Sequence, residues 1–369
     1  MFYQILAVAL KEFQAILRDK QSRLVLIGPP IAQLLIFGYA ATFDLNNIPV
    51  AIYNQDNSQM SRELVSKIEG SPHFEMVKTI TKNSEIAPLI LNKKALMVVH
   101  INADFMHQQI TENGAHIQVI VDGRNSNTAL LALNYIRSIV INFNQNQLAN
   151  DGKAPLPAVL KVRSWFNPNL ISRWFIIPGI VALMTLVVPL IVTALSVARE
   201  REAGTFDQIL VTPLHPVHIL IGKSIPGVMI GLIEGSVIML FTVLWFEIPF
   251  LGNLGALYIG LVLFLLSTVG IGLMISSLSA TQQQGLMGAF LFLVPAVILS
   301  GFATPIENMP ALVQDLTYLN PMRYFLIIVR GVYLEGNSYA DLMNLYWPMA
   351  LIGLTSLTFA GWLFKHRMY

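Results

Sequence analysis

Residues 174–198 read WFIIPGIVALMTLVVPLIVTALSVA, a run of 25 residues without a charged side chain. Five charged residues follow within nine positions, in the segment REREAGTFD (199–207). A helix of about 20 apolar residues is long enough to cross the hydrocarbon core of a bilayer. The sequence therefore predicts a membrane span that ends close to Arg199, followed by a charged segment whose purpose has to be explained.

The composition of the whole chain is that of an integral membrane protein. Its 369 residues are 54% hydrophobic and 12% charged, whereas ordinary soluble domains are about one-quarter charged. The formal net charge of +2 is too small to indicate a nucleic-acid partner. The chain has no cysteine, which excludes disulfides and thiolate metal sites and suits a domain in an oxidising compartment.

Four other apolar runs, the longest of which is divided in two, indicate that the chain crosses the membrane six times. Glu234 is the one acidic or basic residue within these runs, and the polar segment 276–284 divides the longest of them into two. Backbone groups in lipid must satisfy their own hydrogen bonds, so each span is predicted to be a helix. Gly270, Gly272 and Ser276 favour close helix packing. The predicted spans are 24–43, 174–198, 224–246, 254–279, 284–304 and 342–364.

The distribution of Lys and Arg predicts the orientation of the spans. With the N-terminus inside, the inner segments carry nine of these residues and the short outer segments carry two. Both termini are therefore predicted to be cytoplasmic, and residues 44–173 extracytoplasmic. Residues 1–23 are predicted to form an amphipathic helix at the membrane surface. The inner segments are 1–23, 199–223, 279–283 and 365–369, and the short outer ones are 247–253 and 305–341.

Residues 44–173 alternate between predicted strands and helices, which is typical of an α/β domain with a mainly parallel sheet. Four scattered histidines (His73, His100, His107 and His116) are expected to be solvated or structural. The polar motif DGRNSNTA (122–129) is predicted to form a turn that caps a long helix, with a ligand contact as the alternative. Strands are predicted at 48–54, 74–80, 95–101, 116–123 and 159–166, and helices at 58–70, 84–94, 103–114 and 127–148.

Two places in the spans invite a chemical interpretation. The segment LIGKS (220–224) is similar to the end of a nucleotide-binding loop, but Val217 occupies the position of that loop's first glycine. Lys223 is instead expected to anchor the third span at the inner surface. Glu234 is predicted to line a substrate path, bind a cation or accept a proton. The alternative is a protonated side chain that is hydrogen-bonded to a neighbouring helix or lies at a subunit interface.

The charged segment is suited to contact with a cytosolic protein. FDQIL (206–210) is predicted to form a short helix along the membrane that ends at Pro213, with Phe206, Ile209 and Leu210 exposed. Its nearly balanced charges argue against binding to an anionic lipid surface. The alternative is a solvated connector with a helix cap.

Three stretches resemble the permeases of ABC-2 type transporters, most closely their bacterial multidrug-efflux branch. AREREAGTFDQILVTPL (198–214) resembles the inner-loop signature, and WFNPNLISRWFIIPG (165–179) resembles the entry into the second span. LSGFATPIENMPALVQDLTYLNPMRYFLIIVRGVYLEG (299–336) resembles the outer segment between the last two spans. The resemblance covers essentially the whole chain.

The resemblance implies that the charged segment forms a coupling helix on a nucleotide-binding subunit, and that residues 305–335 form short re-entrant helices. Gly204 would let the chain turn, Thr205 would cap the short helix, and the carboxylates would meet basic residues of the ATPase. The implied contact residues are Glu200, Glu202, Gly204, Thr205, Leu210 and Pro213.

The sequence thus predicts a polytopic α-helical membrane protein with six transmembrane helices and an inserted extracytoplasmic α/β domain. The predicted function is that of a permease subunit of an ATP-driven exporter, which moves drugs or other amphiphilic substrates out across the bacterial cytoplasmic membrane. It has no recognisable ATP-binding motif and no cofactor, so two copies of a cytosolic ABC ATPase are expected to supply the energy. Other expected partners are a second permease protomer, identical or related, a periplasmic adaptor protein and the bilayer.

Several alternatives stay open at this stage. The exported substrate could be a lipid, a polysaccharide or sodium ions instead of a drug. A membrane receptor that senses a ligand with its outer domain is a different class of protein, and it would need a larger inner output domain. A membrane-embedded enzyme would need several convergent ionisable groups, whereas the spans contain only Glu234.

Overall fold

The computed structural model describes residues 2–18, 20–40, 45, 47–110, 115–150, 165–168, 171–206 and 215–366. The chain divides into two compact units. The sheet unit comprises Phe43–Arg163, and the helical unit comprises Met1–Thr42 together with Ser164–Tyr369. Most of the described residues are helical.

The described helices and strands follow one another along the chain in this order. They are α1 (Phe2–Arg18), α2 (Lys20–Ala40), β1 (Ile48–Asn54), α3 (Gln59–Glu69), β2 (Phe74–Thr79), α4 (Ile86–Leu91), β3 (Met97–Ile101), α5 (Phe105–Ile110), β4 (Ile117–Val121), α6 (Ser126–Asn150), α7 (Ser172–Glu202), α8 (Pro216–Leu244), α9 (Leu254–Leu278), α10 (Gln282–Ile298), α11 (Ala311–Thr317), α12 (Pro321–Arg330) and α13 (Tyr339–His366). A π-helical turn, Gly331–Glu335, follows α12.

Four described helices are long and apolar enough to cross a membrane, as judged by length and composition: α7, α8 from Val217 onward, α9 and α13. They coincide with the second, third, fourth and sixth predicted spans. The helix α10 is apolar but shorter. Since α2 and α10 are not among the four, the arrangement with six spans stays a prediction.

The helix α7 lies at the centre of the helical unit. It packs against α2, α8, α9, α10 and α12, and nearly all of its side chains from Ile176 to Ala198 are buried. A helix that is apolar on every face is expected in such a position. It continues through Pro178 and Pro189 without a break. Prolines inside a helix leave backbone groups without their helical hydrogen bonds, which is tolerated where neighbouring helices surround those groups.

The predicted close packing of α9 is present on the face that meets α7. A Cβ atom at Gly272 would overlap the hydroxyl of Thr193 and lie 3.0 Å from the carbonyl oxygen of Leu190. Ser276, one turn further along α9, accepts a hydrogen bond from the backbone N–H of Val197 at 2.9 Å. Small side chains therefore allow the two helices to approach to backbone contact.

A second face of α9 packs along α13. A Cβ atom at Gly270 would overlap the hydroxyl of Ser356, and the hydroxyl of Ser267 donates a hydrogen bond to the carbonyl oxygen of Met349 at 2.9 Å. Small residues and hydroxyl groups are the usual means by which helices associate in lipid, where the hydrophobic effect does not drive their contact.

The sheet unit contains a four-stranded sheet in the order β2-β1-β3-β4. Strand β1 pairs in parallel with β2 and β3, whereas β4 pairs with β3 in antiparallel fashion. Val50 and Ile52 of β1 face a core that includes residues of α3 and α6, and Ala51 and Tyr53 face a second core on the other side. The predicted mainly parallel α/β sheet is confirmed. The predicted strand at 159–166 falls largely outside the described residues.

The polar motif at 122–129 forms the predicted turn. The guanidinium of Arg124 donates hydrogen bonds to both carboxylate oxygens of Asp122, with Nε–Oδ1 2.8 Å and Nη2–Oδ2 2.6 Å, and also to the carbonyl oxygen of Ile90 at 2.8 Å. These hydrogen bonds lower the pKa of Asp122 to about 2. The side chain of Asn125 accepts a hydrogen bond from the N–H of Thr128 at 3.5 Å, at the start of α6.

The histidines of the sheet unit lie apart from one another. His73 stacks on Tyr135 with ring centroids 4.1 Å apart, and His100 stacks on Tyr53 at 4.7 Å. His107 and His116 are exposed. Within the described ranges, no group of three or more His, Asp or Glu side chains is arranged to hold a metal ion. Stacking and solvation account for the four histidines, as predicted.

Replacing Gly272 by valine is expected to destabilise the helical unit by about 1–3 kcal/mol, because the added side chain overpacks the contact between α7 and α9. Thermal unfolding of the detergent-solubilised protein, followed by fluorescence-detected size exclusion, measures the effect. The control is Gly28→Ala in α2, where an added Cβ meets nothing within 4 Å and helix propensity improves. Equal melting temperatures for Gly272→Val and the wild type would contradict the close contact.

Candidate functional site

The helix α7 ends in a turn at the predicted coupling segment. Gly204 has φ +67°, a conformation that favours glycine, and its N–H donates to the carbonyl oxygen of Arg201 at 3.1 Å. The N–H and the hydroxyl of Thr205 both donate to the carbonyl oxygen of Glu200, at 3.0 and 3.3 Å. The predicted turn at Gly204 is therefore present, and Thr205 provides hydrogen-bond donors for a backbone carbonyl group in the last turn of α7. The predicted helix after Phe206, with Leu210 and Pro213, lies outside the described residues.

Five side chains form a polar group that we call the charge cluster: Lys11, Glu12, Ser196, Glu200 and Lys223. The ammonium group of Lys223 lies 2.6 Å from Oε1 of Glu12 and 2.7 Å from Oε2 of Glu200. Lys11 lies 2.5 Å from the other oxygen of Glu200. The hydroxyl of Ser196 donates to Oε2 of Glu12 at 2.9 Å. The charge cluster joins α1, α7 and α8.

Most of the charge cluster is removed from solvent. The Lys223 side chain is 1% exposed, and those of Glu12 and Glu200 are nearly as buried, whereas Lys11 is 54% exposed. Burial by itself would raise the pKa of Glu12, but the charge and hydrogen bond of Lys223, together with further side-chain hydrogen bonds that include Ser196, lower the pKa overall. Buried charges of this kind persist only when they are paired and hydrogen-bonded.

The expected positions of Glu200 and Lys223 require correction. Glu200 does not extend toward a cytosolic protein, because its carboxylate compensates two lysines inside the helical unit. Lys223 does not anchor a span at the surface, because it is buried between two carboxylates. The helix of the third span also begins earlier than predicted, since α8 starts at Pro216. Lys223 can lie within this helix because the two carboxylates neutralise its charge.

The segment LIGKS lies inside α8, as expected from the rejection of a nucleotide-binding loop. Gly222 is the point at which α1 crosses α8, because a Cβ atom there would lie 2.7 Å from Cβ of Val8 and 3.2 Å from the carbonyl oxygen of Ile5. The glycine therefore serves the contact between two helices.

Arg201 and Glu202 bind the two ends of the turn between α9 and α10. The guanidinium of Arg201 donates to the carbonyl oxygens of Ser277 at 2.8 Å and Ser279 at 3.0 Å, at the end of α9. The carboxylate of Glu202 accepts hydrogen bonds from the backbone N–H and the side chain of Gln282, at 2.9 and 3.1 Å, at the start of α10. The positive charge of Arg201 meets the negative end of the α9 dipole, and the negative charge of Glu202 meets the positive end of the α10 dipole. Both contacts are therefore stabilised electrostatically.

Phe206 differs from its predicted exposed position. It is buried and meets Phe364 of α13 edge to face, with ring centroids 5.7 Å apart. Val197 and Ile219 complete this small apolar cluster. The aromatic ring thus connects the start of the coupling segment to α13 and is not available to a partner.

Glu234 lies apart from the charge cluster, in the middle of α8. Both of its carboxylate oxygens are buried, and neither has a hydrogen-bond partner among the residues that the structure describes. It borders a cavity of about 320 Å³ between α2 and α8. The alternative of a hydrogen bond to a neighbouring helix therefore has no support in the described residues.

No pattern in the sequence indicated that Lys11, Glu12 and Ser196 belong to the charge cluster. Leu6, Ala9, Leu10, Phe13 and Leu17 are the apolar residues at helical spacing in the sequence of α1. Of these, Leu6, Leu10 and Leu17 are exposed, whereas Ala9 is buried together with Glu12 and Ile16. A glutamate on the protein-facing side of an amphipathic helix follows no hydrophobic pattern. Only the position of Lys223 on a distant segment explains it.

The helical unit, with its long apolar helices and polar groups gathered at one end of α7, defines a multi-pass membrane protein. Residues 24–362 match the family described as "ABC-2 family transporter protein". The chain belongs to this family, and the resemblance found in the sequence is confirmed. It is a permease subunit of an ABC transporter, a family in which an ATPase partner and a dimeric permease are general.

Three relatives are similar over most of their length. The probable multidrug ABC transporter permease YbhR of Escherichia coli (strain K12) is 40% identical over 368 residues, which cover 100% of both chains. The probable multidrug ABC transporter permease YbhS of the same organism is 35% identical over 340 residues, covering 90% of this chain and 89% of its own. The inner membrane transport permease YhhJ, also of that strain, is 27% identical over 353 residues, covering 94% and 92%.

Two lysines of the charge cluster provide a matched pair for a stability test. Lys223→Met leaves two buried carboxylates without their shared cation, so a loss of about 3–5 kcal/mol is expected. Lys11→Met removes an exposed partner of the same Glu200, and about 1 kcal/mol or less is expected because solvent screens that pair. Thermal unfolding in detergent measures both. Equal losses for the two variants would show that burial does not distinguish the two ion pairs.

Proposed function

We propose that this chain is the permease half of an exporter that moves drugs or other amphiphilic molecules outward across the bacterial cytoplasmic membrane. The observation that carries the proposal is the similarity along its whole length to a relative named as a probable multidrug ABC transporter permease. The absence of a recognisable phosphate-binding loop from the sequence assigns ATP hydrolysis to a separate ATPase, present in two copies beside two permease protomers.

The segment that follows α7 is proposed to transmit movement of the ATPase to the helices. It starts where Glu200, Arg201 and Glu202 connect α7 to α1, α8, α9 and α10. A displacement of this segment would therefore act on several helices together. The proposed contact with the ATPase comprises Gly204, Thr205, Leu210 and Pro213 and the exposed side of Glu202, whereas Glu200 holds the helices to which the segment is attached.

The directions of the helices support the proposed six-span topology. Leu26 of α2 borders the same cavity as Ile230 of α8, and further along both helices the indole N–H of Trp245 donates to the hydroxyl of Tyr39 at 2.6 Å. The helices α2 and α8 therefore run in the same direction, as the first and third spans of one chain must. The excess of Lys and Arg in the segments near the charge cluster supports a cytoplasmic location for that end.

The native chain has no cysteine, so single cysteines test the topology against an unlabelled background. A membrane-impermeant maleimide is expected to label Glu75→Cys, on the exposed surface of the sheet unit, in intact spheroplasts. Lys365→Cys, near the C-terminus, is expected to react only after the membrane is opened. Labelling of both variants in intact spheroplasts, or of neither, would contradict the proposed orientation.

Purification of the tagged permease from its native cells in mild detergent tests the coupling assignment. An ATPase with a complete phosphate-binding loop is expected to co-purify. Leu210→Asp is expected to reduce its recovery at least about tenfold, because a charge replaces an apolar contact at the proposed interface. The matched control is Leu312→Asp on α11, where the leucine is already exposed. Unchanged recovery with Leu210→Asp would overturn the assignment, and no ATPase with the wild type would overturn the exporter.

A further inference from the structure

The cavity beside Glu234 lies between two helices that belong to different predicted spans. Its volume of about 320 Å³ is at the lower end of the range found for small-molecule sites. Glu234 is the one ionisable side chain among the described lining residues, and the others are aliphatic or proline. The lining residues are Leu26, Pro30 and Ile31 of α2 and Ile230, Ile233, Glu234, Val237 and Ile238 of α8.

The carboxylate of Glu234 differs from the other buried carboxylates of the helical unit. Glu12 and Glu200 share the cation of Lys223, whereas both oxygens of Glu234 are buried without a partner in the part of the chain that the structure describes. Nearby Ser236 does not donate a hydrogen bond to Glu234. The hydroxyl of Ser236 donates instead to the carbonyl oxygen of Leu232 at 2.7 Å and lies 2.6 Å from the hydroxyl of Tyr258. An ionised carboxylate in such surroundings is unfavourable unless a cation compensates it, and without a cation the group takes up a proton.

The cavity opens on a surface formed by apolar side chains. Ile31, Ile233 and Val237, which border it, are 55%, 59% and 47% exposed. In a bilayer such side chains contact hydrocarbon, so an apolar molecule dissolved in the membrane can enter between α2 and α8 without crossing water. The cavity therefore combines apolar access with one buried negative group.

We propose that this cavity binds lipophilic organic cations, with the carboxylate of Glu234 compensating the positive charge and the aliphatic lining contacting the apolar body. This inference rests on the proposed function, since it names a substrate class for the exporter. A bare sodium ion fits the site poorly, because hard cations require several oxygen ligands and the lining supplies one carboxylate. An anionic lipid headgroup would place like charges together at a buried site.

Tetraphenylphosphonium is a suitable probe, because tetraphenylborate has the same shape and the opposite charge. Equilibrium binding to the purified full-length permease in nanodiscs is expected to be saturable for the cation, and Glu234→Gln is expected to weaken it at least about tenfold. Glu247→Gln, which alters an exposed glutamate just beyond the end of α8, is the matched control and is expected to bind like the wild type. Tetraphenylborate is expected to show no binding that depends on Glu234.

A measurement on the unmodified protein covers the case in which Glu234→Gln fails to fold. Dicyclohexylcarbodiimide modifies carboxyl groups in apolar surroundings, and mass spectrometry is expected to find the adduct on Glu234. Tetraphenylphosphonium is expected to protect the residue, whereas tetraphenylborate is not. Equal protection by both ions, or cation binding that Glu234→Gln leaves unchanged, would overturn the site.

The outcomes separate this site from the proposed function. Recovery of an ATPase that depends on Leu210, together with cation binding that does not depend on Glu234, would retain the exporter and remove the site. Cation binding through Glu234 in a permease that recovers no ATPase would retain the site and remove the exporter.

Discussion

The helical unit depends on the placement of one buried ammonium group between two carboxylates. Lys223 of α8 lies 2.6 Å from Glu12 of α1 and 2.7 Å from Glu200 of α7. Removal of this ammonium group would leave the buried carboxylate of Glu12 without its cation, which is strongly unfavourable. Because each partner comes from a different helix, the electrostatic requirement fixes where α1 and α8 meet the end of α7.

The same end of α7 also contacts α9, α10 and α13. Arg201 and Glu202 hold the end of α9 and the start of α10 through oppositely charged helix termini, and Phe206 packs against Phe364 of α13. The central helix therefore meets its neighbours through apolar packing along its length and through charge at this end. In the coupling that we propose, the ATPase would act on the bundle through this connection at the end of the central helix.

Two glutamates of the helical unit show how tertiary structure assigns different roles to the same side chain. Glu200 lies in a dense charged segment that favoured exposure, yet it is buried and paired with lysines of two other helices. Glu234 lies in an apolar run and is buried beside a cavity, with no hydrogen-bond partner among the residues described in the structure. The first therefore holds the helices together, whereas the second makes no such contact with the described helices and is the group to which we assign a ligand.

The sequence by itself determined the positions of the apolar helices, the α/β pattern of residues 48–121, the turn at Gly204 and the family. These follow from hydrophobic runs, strand and helix periodicity, a glycine requirement and local motifs, all of which are properties of neighbouring residues. The tertiary structure alone decided the burial of Glu200, Lys223 and Phe206, the protein-facing side of α1 and the cavity beside Glu234. Each of these depends on which distant segment meets the residue, and a linear pattern does not encode the partner of a buried charge.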